Sequence, residues 1–163
     1  MKRKILSLTL AFVLVFMVLP VPVQAEDTIN ITGHTAGNLE DEITVYMSVY
    51  GISVDDIITE LSVSGGTLNN VDRVFLYDSD INKTVKTVDF SGTSIDYSGT
   101  IQGGYFSADN PNEIPPYAFG NWYDLTSIVL PDSVTVIEDW AFNMCTSLET
   151  VYLPSGLTTI VLK

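Results

Sequence analysis

EIPPYAFGNWYDLTSIVLPDSVTVIEDWAFNMCTSLETVYLPSGLTTI, residues 113–160, repeats itself at an offset of 23 positions. Ile114 falls on Ile137, Ala118-Phe119 on Ala141-Phe142, Leu125 on Leu148 and Ile128 on Val151. Leu130-Pro131 falls on Leu153-Pro154, Val134 on Leu157 and Thr135 on Thr158. Ile160 opens a third copy. Apolar residues hold fixed places while the polar ones between them vary. A coil built this way cannot bury its own apolar face. Stacking it on its neighbours above and below does.

The spacing inside each copy predicts local structure. Leu125, Ile128 and Leu130 read L-x-x-I-x-L, and the last two lie two apart, the period of a strand with one buried face. The proline that follows cannot donate to a ladder, so the strand ends there. The Ala-Phe pair falls on the opposite side of the coil, in a short helical or turn segment with its Phe inward. Val85, Val88 and Phe90 repeat the strand frame upstream, and Ile58, Leu61 and Val63 repeat it again. Between the second and third windows lie Gly92, Gly99, Gly103, Gly104, Asn110, Pro111 and Pro115, a loop composition.

Residues 38–50 have a different period. Leu39, Ile43, Tyr46, Met47 and Tyr50 are spaced for one face of a helix. Asn38 is placed to cap its start, Glu40, Asp41 and Glu42 suit the positive end of the helix dipole, and Gly51 can end it. A second helix is expected at about 70–77, with Val71, Val74 and Phe75 inward.

The predicted fold class is thus α/β: a strand-rich repeat solenoid with a small α/β cap at its N-terminal end and one short parallel sheet on the concave face. Residues 26–84 read as the capping region and 85–163 as the solenoid. The repeats are 114–136 and 137–159, with a degenerate rung at 85–95 and an inserted loop at 96–113.

The first 25 residues read as a secretory signal peptide. Lys2, Arg3 and Lys4 precede an uncharged run from Ile5 to Leu19, Pro20 and Pro22 break any helix, and Val23-Gln24-Ala25 suits a cut before Glu26. The run is short for a membrane span.

The chain has 163 residues and a formal net charge of −13, with 46% hydrophobic and 17% charged residues. That is too apolar for a disordered acidic tail and enough for one modest core. After cleavage, Arg73, Lys83, Lys86 and Lys163 stand against 20 acidic residues. Such a surface disfavours nucleic acid and anionic membranes and suits cationic partners or divalent ions. Cys145 is the single cysteine, so no intrachain disulfide can form, and burial as a small apolar residue is expected.

Residues 113–160 resemble the BspA-type leucine-rich repeat of bacterial surface and secreted proteins, whose form is I-x3-AF-x2-C-x2-L-x2-I-x-LP. Cys145 stands at that family's Cys position, while Trp122 stands there in the preceding copy. The stretch IITELSVSGGTLNNVDRVFLYDSDINKTVKTVDFSGTSI, residues 57–95, is similar to the leader that often precedes such repeats. The resemblance implies a non-enzymatic bacterial protein, secreted or held at the cell surface. Its role would be adhesin-like binding of an extracellular protein or glycan.

Chemistry elsewhere is weakly signalled. His34 lies in the polar NITGHTAGN stretch and reads as a solvated loop residue, in a different segment from Cys145. The acidic pairs Asp55-Asp56, Asp78/Asp80 and Glu138-Asp139 carry no motif that sets two carboxyls across a cleft. Asp78, Asp80, Asn82 and Asp89 sit at calcium-loop spacings, but Lys83 occupies the place that needs glycine. No catalytic residue, metal ligand or cofactor is therefore assigned, and a calcium protein or acidic hydrolase ranks below the interaction reading.

The candidate interaction face consists of the residues between the inward ones of each strand window: Glu60, Ser62, Thr87, Asp89, Ser127, Val129, Thr150 and Tyr152. With no polar segment after the last copy, the inner faces of Leu148, Val151 and Leu153 are expected to lie open. The chain then reads as a truncated member of a larger adhesin, or as one that stacks end to end on another copy.

Overall fold

The computed structural model describes residues 28–53, 57–99 and 108–162. The signal peptide expected over residues 1–25 lies outside them, as do Asp55, Asp56 and Lys163. In chain order the elements are β1 (Thr28–Thr32), α1 (Leu39–Tyr50), β2 (Glu60–Asn69), α2 (Asn70–Asp78), a 3-10 turn (Asp80–Lys83) and β3 (Thr87–Asp96). Then follow β4 (Glu113–Ile114), β5 (Ser127–Val129), β6 (Val136–Ile137), β7 (Thr150–Tyr152) and β8 (Thr159–Ile160). The fold is α/β with parallel sheets and few helices.

The strands form two parallel sheets, of order β1-β2-β3-β5-β7 and β4-β6-β8. The single short sheet expected from the strand windows is thus a correction twice over. β2 and β3 are ten residues long, and the start of each repeat pairs as a second ladder. The physical reason is that Ile114, Ile137 and Ile160 head their copies in extended chain. There Ile114 aligns with Ile137, and Ile137 with Ile160. Backbone groups at that corner must find partners, and the equivalent residue one rung away supplies them.

In the five-stranded sheet the inward residues fall in register. Ile29 is opposite Leu61, Leu61 opposite Val88, Val88 opposite Ile128 and Ile128 opposite Val151. The first four are buried and Val151 is half-buried. β1 was not anticipated, although Ile29 and Ile31 alternate with polar neighbours in TINIT. The Ala-Phe turns form a third seam between the copies. Phe119 donates its amide to the Ala141 carbonyl, Tyr117 to Trp140 and Asn121 to Asn143. Phe90, Phe119 and Phe142 run through the interior, with centroids 6.4 and 5.3 Å apart.

The N-terminal part closes over β1. α1 forms where its spacing predicts and ends at Gly51 in the left-handed conformation. Leu39 and Ile43 are buried, and a hydrogen bond joins the Tyr46 hydroxyl to the Asn30 backbone. Asn38, expected to cap α1, makes no side-chain capping bond. Asp72 of α2 takes over that task from across the fold, accepting from the amides of Gly37 and Leu39. α2 has its own capping box, in which Asn69 and Asp72 satisfy each other's backbone. That box fixes which side faces the core. Asp72, Arg73 and Leu76 are buried, whereas Val71, expected inward, is 62% exposed.

The stretch expected to be a solvated loop instead holds a buried ionic cluster. His34 is only 4% exposed, a correction to its reading as a loop residue. Its Nδ1 lies 2.7 Å from Glu42 Oε2 and its Nε2 lies 3.2 Å from Asp72 Oδ2. The chain turns back at Gly65-Gly66, where His34 N donates to Ser64 O. A Cβ on Gly66 would come within 2.1 Å of the His34 carbonyl oxygen, and its φ of 62° already favours glycine.

Candidate functional site

The strand geometry brings the eight residues of the predicted face together. Glu60 is opposite Thr87, Thr87 opposite Ser127 and Ser127 opposite Thr150. In the second row Ser62 is opposite Asp89, Asp89 opposite Val129 and Val129 opposite Tyr152. β1 extends both rows by one strand, with Thr28 opposite Glu60 and Asn30 opposite Ser62. Thr28 and Asn30 were missed because the sequence reading placed no strand there. The alternation in TINIT is the signal that could have found them.

Each row thus crosses five strands spaced about 4.8 Å apart. Side chains at alternate positions share one side of a parallel sheet, so burial of the inward set leaves the two rows outward. Glu60, Asp89, Thr150 and Tyr152 are exposed, Tyr152 at 58%, and Ser62, Thr87, Ser127 and Val129 are half-buried. Thr28 Oγ1 donates to Glu60 Oε2 at 3.2 Å, and Asp89 Oδ1 accepts from Ser91 N at 2.8 Å. The arrangement offers hydroxyls, two carboxylates and one phenol on a pleated surface. It is suited to contact rather than bond making.

The other candidates are dispersed. Cys145 is half-buried and its Sγ donates to the Phe119 carbonyl at 3.0 Å. Burial pushes its thiol up to about 11, with a hydrogen bond to the Trp122 backbone pulling the other way. His34 is engaged by Glu42 and Asp72, so thiol and imidazole have separate partners. Asp80 pairs with Lys83, and the Asn82 amide points inward to the Tyr77 carbonyl at 2.6 Å. Asp89 sits on β3 with Ser91 as its partner. Among the described residues no group of three or more His, Cys, Asp or Glu side chains is placed to hold a metal ion. No helix among them is long and apolar enough to cross a membrane.

Two parallel sheets in 23-residue register, with an outward polar face and no assembled catalytic group among the described residues, define an α/β repeat protein. Residues 112–162 match the family described as BspA type leucine rich repeat region (6 copies), and the resemblance read from the Ala-Phe and Leu-Pro pairs is shown for that segment. No curated protein matches the chain.

Proposed function

We propose that this chain is an exported, non-enzymatic leucine-rich-repeat solenoid that binds an extracellular protein or glycan through the outward rows of its five-stranded sheet. In this reading residues 26–84 cap the stack and residues 85–163 form it. The family relation supports a role in protein interaction. The observation that carries the proposal is the lateral register of Glu60, Thr87, Ser127 and Thr150 beside Ser62, Asp89, Val129 and Tyr152. Inward positions are committed to packing, and these are the ones left for recognition. Association between copies through the β7 and β8 edges, where Leu153 and Ile160 are about half exposed, belongs to the same proposal.

The test is an array of extracellular-matrix proteins and bacterial and host glycans, probed with the wild-type chain, Asp89→Lys and Tyr152→Ala. A ligand of the wild type whose binding falls at least tenfold in both variants supports the reading. Equal binding by all three overturns it. Light scattering over a concentration series reads the self-association directly.

A further inference from the structure

Trp140 and Tyr117 occupy the same place in successive repeats, 23 residues apart, immediately before the Ala-Phe pair. Their rings are stacked, with centroids 6.2 Å apart and planes 18° from parallel. Both lie outside the two sheets. Trp140 is 51% exposed, against 0% for Trp122. Their backbones are unusual as well. Tyr117 has φ 59° and Trp140 φ 62°, in the left-handed region that bulky aromatic residues rarely enter. Asparagine or glycine would occupy such a turn at lower cost. Two strained, outward, mutually stacked rings at equivalent positions are poorly explained by packing, since burial returns little for a half-exposed Trp. Strain kept at a surface points to a use for the side chain.

The surrounding charge says what kind of ligand fits. Glu138 and Asp139 directly precede Trp140, and the chain as a whole has 20 acidic against 7 basic residues. A cation approaching an indole face is attracted by the ring quadrupole, and nearby carboxylates add to that attraction. A guanidinium also stacks flat on aromatic rings, which an ammonium does not. We propose that the Tyr117–Trp140 stack, with Glu138 and Asp139 beside it, is a docking site for an arginine-bearing segment of a basic protein partner. The site lies off the five-stranded sheet and is independent of the recognition rows on that sheet.

Trp140 is the more exposed of the two tryptophans, so intrinsic fluorescence reports on it directly. The experiment titrates the full chain with hexa-arginine at 0.15 M salt, using hexa-glutamate as the control. Saturable quenching is expected with hexa-arginine only. Trp140→Asn, followed by anisotropy of a labelled peptide, should weaken binding about fivefold or more. The melting temperature of that variant should stay level or rise, because asparagine relieves the left-handed turn. Asp89→Lys, in the sheet rows, should leave hexa-arginine affinity within twofold. Undiminished affinity in Trp140→Asn would assign the binding to diffuse surface charge and overturn the site, as would an absence of quenching. A loss seen in Asp89→Lys but not in Trp140→Asn would overturn it while leaving the sheet rows as the recognition surface.

Discussion

The Phe119 and Phe142 rings lie stacked, 5.3 Å between centroids and 17° between planes, and so link one repeat to the next through the interior. Phe119 also meets Phe90 on its other side and Trp122 edge-on at 6.1 Å. The two phenyl groups hold equivalent sequence positions but unequal burial. Phe119 is 2% exposed, whereas Phe142 is only partly buried.

That difference predicts unequal costs of truncation. Phe119→Ala should lose about 3–5 kcal/mol, the usual range for a buried Phe. Phe142→Ala should lose less, by at least about 1 kcal/mol, because part of its surface is already wet. Urea denaturation followed by circular dichroism gives both values. Equal losses would mean that the outer rung is packed as tightly as the inner one.

Asp72 ties three segments with one carboxylate. Its Oδ2 accepts from Gly37 N, Asn69 N and His34 Nε2, and its Oδ1 from Leu39 N. Asp72→Ala should therefore cost about 3–5 kcal/mol, since it leaves buried donors and a histidine without their partner. Hydrogen exchange should show the amides of Leu39 and Gly37 losing protection first. Loss confined to α2 would show that the carboxylate serves only its own capping box.

Met144 and Asn121 share a repeat position and a left-handed backbone, at φ 62° and 66°. Asparagine tolerates that region and methionine does not. Met144 is 51% exposed, so its side chain recovers little through packing. Met144→Asn should raise stability by about 0.5–1 kcal/mol. Asn121→Met should lower it by more, because Asn121 Nδ2 also donates to the Tyr77 hydroxyl at 3.0 Å. Thermal melts of both variants check the signs.

Two buried acids make the fold sensitive to alkali. Burial holds the Cys145 thiol up at about 11 and drives the Tyr97 phenol far up, Arg73 pulling it partly back. In the unfolded chain these groups ionise near pH 8.5–9 and 10. Above those values the unfolded state gives up protons that the native state keeps, so stability falls as pH rises. Denaturant titrations should show the decline beginning near pH 9. The Tyr97 hydroxyl is buried without a hydrogen-bond partner among the described residues, so Tyr97→Phe should cost little at pH 7 and flatten the decline above about pH 10. Alkylation of Cys145 by iodoacetamide at pH 8 should be slow in the native chain and fast in urea.

Legibility followed the range of the interactions. Leu61, Val88, Ile128 and Val151 could be placed on the inward side because period-2 alternation marks them locally, and their lateral register follows from equal coil lengths. The eight outward residues came with them at no further assumption. α1 was legible from its 3.6-residue period, but its cap was not, since Asp72 lies 33 residues from Leu39. The second sheet was missed because Val136-Ile137 is two residues long, too short for any alternation to register.

The sequence alone determined the 23-residue coil, the residues each coil turns inward and the acidic, disulfide-free character of the chain. These are properties of spacing and composition, which survive without knowing where the chain returns. The tertiary structure decided the burial of His34 between Glu42 and Asp72, the addition of β1 to the sheet, and the stacking of Tyr117 on Trp140. Each of those depends on groups 8 to 38 residues apart meeting in space. Hydrogen bonds and ring contacts act over a few ångströms, so only the folded path of the backbone could select them.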